Sequence, residues 1–110
     1  MDDSLEIPAI DVNEAKRRAA QGTMFLDVRE DHEFAQARIP GTVLIPLSEF
    51  MERYEELPKD QQILIHCRSG QRSSDATIFL NQRGYDAINV TGGMLSWNEA
   101  GLPIEPGDDQ

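Results

Sequence analysis

Residues 63–80 read ILIHCRSGQRSSDATIFL. An apolar run stops there at the only cysteine of the chain, Cys67, crosses a loop of arginine, serine and glycine, and resumes with helical spacing. Extended to QILIHC (62–67), the first part is the most apolar run of the sequence and is bounded by polar residues, as expected of a central strand in a parallel sheet covered on both faces. Beyond the loop, SSDATIFLNQRG places Ala76, Phe79, Leu80 and Arg83 on successive turns of a helix that starts near Ser73 and ends at Gly84. Cys67 therefore stands where a strand hands over to a helix.

The same strand-then-helix punctuation recurs on both sides. Toward the N-terminus, AID reads as a short strand, and Asp11 with Glu14 three residues on opens a helix, VNEAKRRAAQG, that Gly22 closes. TMFLDV comes next as a buried strand, EDHEFAQAR as a short helix, IPGT as a turn and VLIPL as another strand. SEFMERYEELPKD carries Phe50, Met51, Tyr54 and Leu57 at helical spacing up to Pro58. Toward the C-terminus, DAINVTGG reads as a last strand and MLSWNEAG as a last short helix. Alternation of this kind implies an open α/β sheet with helices on both faces, and in such sheets ligands bind beyond the carboxyl ends of the strands.

A length of 110 residues with 39% apolar residues suits one domain, spanning 1–110 with a core over about 5–105 and a polar end, EPGDDQ, that frays. Twenty acidic against ten basic residues give a net charge of -10, which disfavours nucleic acid and anionic membrane surfaces as partners. No apolar run approaches the ~20 residues of a membrane span, and the start MDDSLEIPAI lacks the basic and apolar regions of a signal peptide, so a cytoplasmic location is expected. One cysteine allows no internal disulfide and leaves a free thiol.

A strand-loop-helix unit aims successive backbone N–H groups and a helix N-terminus at one spot, which makes an anion site out of main chain. Gly70 permits the positive φ that lets the loop curl. In such surroundings a thiol pKa falls from ~8.5 into the range ~3.5–7.5, with Asp75 in the first helical turn tempering the effect. The plain alternative is a small buried cysteine in an ordinary connection. Arg68 and Arg72 flanking Gly70, with Ser69, Ser73 and Ser74, argue for the anion site. Asp27 and Arg29, at another strand end on the same side, read first as a structural ion pair, the alternative being a charged pair that props the loop or lines the pocket. His66, Met94 and Trp97 read as packing residues.

At these residues the sequence resembles the rhodanese family of sulfurtransferases. LDVREDHEFAQARIPGTVLIPL is similar to the first family signature, CRSGQRS to the active-site loop and VTGGMLSWNEAGLPI to the carboxyl-terminal signature; together they cover most of Leu26 to Ile104 in the family order. The resemblance implies a rhodanese-like, mainly parallel five-stranded sheet. It further implies that Cys67 accepts a sulfane sulfur from an anionic donor such as thiosulfate, becomes a persulfide, and passes the sulfur to cyanide or a thiol without metal or organic cofactor. Backbone N–H groups over Arg68, Ser69, Gly70, Gln71, Arg72 and Ser73 would cradle the persulfide, with the two guanidinium groups attracting the donor. A sulfur-accepting protein is a further partner that the resemblance allows, and a monomer is expected. Where the family often has Gly-His before IPG, this chain has Ala37-Arg38, which makes Arg38 a candidate rim cation.

Two other functions fit the same fold. Cysteine phosphatases and arsenate reductases also begin their loop with HC but space cysteine and arginine as C-x5-R, whereas Cys67 and Arg72 are C-x4-R, a tighter ring better matched to a single sulfur than to a phosphate. A binding or regulatory module on the fold would have no reason to keep the cysteine, whereas a persulfide carrier serving a partner protein would share the whole loop.

Overall fold

The computed structural model describes residues 7–107. The first expected strand is short, β1 at Ala9–Ile10, because Asp11 ends it as the cap of a helix: its carboxylate accepts from the Glu14 N–H at 2.8 Å and starts α1, Val12–Ala20. Next come β2 (Met24–Asp27), α2 (Asp31–Gln36), β3 (Ala37–Arg38) and β4 (Val43–Leu44), then α3 (Phe50–Arg53), β5 (Gln62–His66), α4 (Gln71–Asn81), β6 (Asp86–Val90), α5 (Gly93–Glu99) and β7 (Glu105–Pro106). β1, β6, β5, β2 and β4 lie in that order in one sheet whose neighbours all run parallel, so β5 is the central strand. No helix among the described residues is long and apolar enough to cross a membrane.

Strand alternation explains why helices cover both faces. Ile63, Ile65 and Cys67 point to one side, where they pack with Leu26, Val28, Phe50, Ala76, Leu80 and Ala87 under α3 and α4. Leu64 points to the other, with Val12, Ala15, Phe25, Val90, Met94 and Trp97 under α1 and α5. Ile63, Leu64 and Ile65 have no solvent exposure, and full burial of each such side chain stabilises by about 1.5–3 kcal/mol. The expectation of an open sheet with a doubly covered central strand matches the fold.

Three local expectations are corrected. The segment 47–57 is not one helix: a 3₁₀ turn at Leu47–Glu49, the single α-turn of α3 and a second 3₁₀ turn at Tyr54–Glu56 replace it, and Met51 is exposed. Pro58 holds Leu57 in extended geometry, φ -81° and ψ 145°, so the chain tightens before it instead of completing a helical turn. Ala37 and Arg38 do not extend α2; Ala37 is extended at φ -167° and the pair forms a two-stranded antiparallel ribbon with Glu105–Pro106. Consequently the expected fraying does not apply to Glu105, Pro106 and Gly107, whose N–H donates to the Gln36 carbonyl at 2.8 Å. Residues 108–110, the end of that tail, and residues 1–6, which include the start of the expected core and most of the N-terminal stretch, lie outside the described residues.

Candidate active site

Cys67 leaves β5 at the carboxyl edge of the sheet, and the chain turns back over it at once. Gly70 takes φ 106°, a left-handed conformation that costs a side chain-bearing residue about 1–2 kcal/mol, and forms the N-cap of α4. α4 therefore begins at Gln71, two residues before the expected start, which puts Arg72 on the helix and not in the loop. The turn brings two backbone donors to Cys67 Sγ, the Gly70 N–H at 3.1 Å and the Ser73 N–H at 3.4 Å, and sets the Ser73 hydroxyl oxygen 3.4 Å from it.

The electrostatics derive from that geometry. Burial works to raise the Cys67 pKa, and the bonds a thiolate can accept here, from the Ser73 hydroxyl if it turns to the sulfur and from the Ser73, Gly70 and Ser69 N–H groups, outweigh it, so the thiol lies below the ordinary range. We therefore expect the pH profile of Cys67 alkylation by iodoacetamide to inflect at a lower pH than that of a free cysteine, because the lowered pKa preserves thiolate as pH falls. A pH profile with the inflection of free cysteine would contradict the cradle.

The loop is held from outside by α5. The Met94 N–H donates to the Cys67 carbonyl at 2.9 Å and the Leu95 N–H to the Arg68 carbonyl at 3.0 Å, so the first turn of α5 takes up carbonyls that point away from Sγ. Gly93 is the residue that permits this approach: a Cβ there would meet the Cys67 carbonyl oxygen at 2.3 Å. The TGG of the sequence is thus a docking contact behind the cysteine loop.

The charged candidates separate into different environments. Arg68 is exposed and makes no ion pair among the described residues. Arg72 is bound bidentately by Glu33 of α2, at 2.9 and 3.0 Å, and that pair holds the Glu33 carboxyl at about 2. Arg72 is therefore a partly neutralised cation. Ser69 and Gln71 are exposed beside the turn. A cavity of about 310 Å³ next to the loop is lined by Arg29, Glu33, Arg68, Met94, Leu95 and Asn98, among others. Among the described residues no three histidine, cysteine or carboxylate side chains converge in a metal-ligand arrangement.

A family model for the rhodanese-like domain matches residues 11–100. The chain belongs to the rhodanese family. It is 38% identical over 98 residues to a sulfurtransferase of Allochromatium vinosum, covering 86% of this chain and 92% of that one. It is 39% identical over 94 residues to a putative sulfur carrier protein of Bacillus subtilis, covering 83% of this chain and 51% of the relative. Among solved structures, a rhodanese-related protein from Thermoplasma volcanium superposes with a TM-score of 0.84 at 33% identity, covering 89% of this chain and 97% of that one.

In this rhodanese domain the remaining candidates are internal supports. Asp27 and Arg29 form a buried pair, with Arg29 Nη2 2.9 Å from Asp27 Oδ2 and also donating to the Ala37 carbonyl at 2.8 Å. His66 is fully buried, its ring edge-on to Phe25 at 5.2 Å, with Nε2 3.4 Å from Asp27 Oδ2 and no hydrogen bond there. Met94 and Trp97 are buried on the inner face of α5, Trp97 Nε1–H donating to the Pro103 carbonyl at 2.7 Å. Arg38 faces Glu105 at 3.1 Å and lies over the Phe34 ring, so it ties β3 to β7. Two residues at the site are not evident from the sequence pattern used above. Glu33 left no sequence signal beyond a common acidic helix. Asn89 did leave one: an asparagine inside the apolar strand DAINV must find buried partners, and it finds Ser73 and Ser74.

Proposed function

We propose that this rhodanese-family protein transfers a sulfane sulfur through a Cys67 persulfide. The observation that carries the reading is the convergence of the Gly70 and Ser73 N–H groups on Cys67 Sγ in a loop of C-x4-R spacing. With thiosulfate as donor, the Cys67 thiolate attacks the outer sulfur, the S–S bond of the donor breaks, and sulfite leaves with the bonding electron pair. Cyanide or a thiolate then attacks the outer sulfur of the persulfide and returns Cys67 as thiolate. The amides that hold the thiolate are already in place for the persulfide, so the site needs little rearrangement between the two half-reactions.

Arg68, exposed beside the nucleophile, is the cation that attracts an anionic donor, while Arg72 acts chiefly through its pairing with Glu33. The main-chain ring over residues 68–73 is the anion cradle, and Asp27 and Arg29 support the strand ends beneath it. A monomer in a reducing compartment such as the cytoplasm is consistent with one free, reactive thiol. The same loop also suits a persulfide carrier, and the name of the Bacillus subtilis relative favours that second reading.

Incubating the protein with thiosulfate should add ~32 Da, one sulfur atom, to its intact mass at Cys67, and cyanide should then remove it with release of thiocyanate. An unchanged mass after exposure to thiosulfate and to a low-molecular-weight persulfide would remove sulfur transfer as the activity. Loading by the second donor alone would favour the carrier reading over thiosulfate chemistry.

A further inference from the structure

Behind the cysteine loop lies a hydrogen-bond chain that the sulfur-transfer steps do not use. Asn89 is buried on β6, opposite Ile65 of β5, on the face that α4 covers. The Ser73 hydroxyl is 2.6 Å from Asn89 Oδ1, and Asn89 Nδ2 is 3.3 Å from Ser74 Oγ. A separation of 2.6 Å is an O–H···O length and shorter than an N–H···O bond, which fixes the amide with its oxygen toward Ser73. Ser73 Oγ also lies 3.4 Å from Cys67 Sγ.

A hydroxyl has one proton and can give it to one acceptor at a time. Asn89 Oδ1 is much the closer of the two, so in the resting site the Ser73 proton points at Asn89 and its lone pairs face Cys67. That arrangement suits a thiol, whose S–H can point at Ser73 Oγ. It does not suit a thiolate, which needs the hydroxyl to turn around, and turning leaves the buried Asn89 carbonyl without a partner.

We propose that Asn89 is a positioning residue for the Cys67 nucleophile: by holding the Ser73 proton it leaves thiolate stabilisation to the backbone N–H groups and keeps the sulfur from becoming too stable an anion. The chemical use is direct. Nucleophilicity of a thiolate falls as its pKa falls, and the best attacking thiol has a pKa near the ambient pH. In the persulfide the charge moves to the outer sulfur, and the inner Sγ no longer calls for the hydroxyl. This deepens the sulfur-transfer reading and rests on it for the role of Cys67, but its test reads thiol ionisation and requires no sulfur donor.

The charged and titratable groups around Cys67 are Arg68 beside it in the loop, Arg72 and Asp75 on α4, Glu33 of α2 paired with Arg72, Asp27 and Arg29 at the end of β2 and the His66 ring at the end of β5. None of them bonds to Ser73 Oγ or to the Asn89 side chain.

In Asn89→Leu the buried Ser73 hydroxyl loses its near acceptor and must turn to Sγ. The thiolate fraction of the full-length protein at a pH below the Cys67 pKa, read from the pH dependence of iodoacetamide alkylation, should rise about threefold to tenfold, the value of one neutral hydrogen bond. In a Ser73→Ala background the same substitution should have no effect, since the hydroxyl that transmits it is gone. An unchanged or smaller thiolate fraction in Asn89→Leu, or a rise that persists without the hydroxyl, would overturn the proposal. If Asn89→Leu does not fold, Ser73→Ala alone still decides. It should lower the native thiolate fraction by less than about threefold if the proton already belongs to Asn89, and a larger loss would place it on Cys67.

Discussion

Replacing Cys67 by serine should reduce thiocyanate formation from thiosulfate and cyanide by at least about 10³-fold while leaving the fold intact. The loss is a consequence of the element exchanged. A hydroxyl at this position has an ionisation far above neutrality, and attack on the donor would have to make an S–O bond that cannot serve the second half-reaction. The fold should survive because the serine oxygen meets the same donors, the Gly70 N–H and the Ser73 N–H, in the same buried turn. Circular dichroism and thermal melting close to those of the native protein would establish that. The intact mass should then show no sulfur adduct, and substantial residual transfer would remove Cys67 from the mechanism.

A stability loss of about 3–5 kcal/mol is expected for Asp27→Asn, because the substitution leaves the buried Arg29 guanidinium without its counter-charge. For a domain of this size that corresponds to a fall in Tm of upwards of about 10 °C, measurable by melting and by the urea midpoint. The pH dependence carries the same signature. Burial works to raise the Asp27 carboxyl, and His66 and Arg29 override it, holding the group at about 2. A depressed carboxylate contributes stability that is present above its unfolded value of ~3.9 and is lost as pH falls toward 2, so the native protein should weaken across that interval. Asp27→Asn should lack this part of the acid transition. A stability change below about 1 kcal/mol would mean that Arg29 finds water or another partner when the carboxylate is gone.

These two residues also mark how far the chain is legible by itself. Cys67 could be found from the sequence because the signals around it are local: an apolar run, a glycine, two arginines and three serines within eight residues, at a place where a strand must become a helix. Backbone donors of the loop derive from the same local geometry. Asp27 could be placed at a strand end, but the partners that set its charge, Arg29 and His66, meet it only because β2 and β5 are adjacent with Asp27 opposite His66.

By itself the sequence determined the alternating elements, the central strand, the turn at Gly70 and the place of the cysteine proposed as nucleophile, since periodicity, capping and glycine conformations act over a few residues. Tertiary structure decided whatever depends on contacts between distant segments. It bound Arg72 to Glu33 across 39 positions, which changed a free cation into half of an ion pair. It turned Ala37–Arg38 and Glu105–Pro106 into a ribbon, since strand pairing overrides a weak helical preference at the end of a short helix. It also set Gly93 against the carbonyl of Cys67 and Asn89 against the hydroxyl of Ser73. Hydrophobic periodicity records which side of an element is buried, and a buried polar atom's choice of partner is made only when the elements pack.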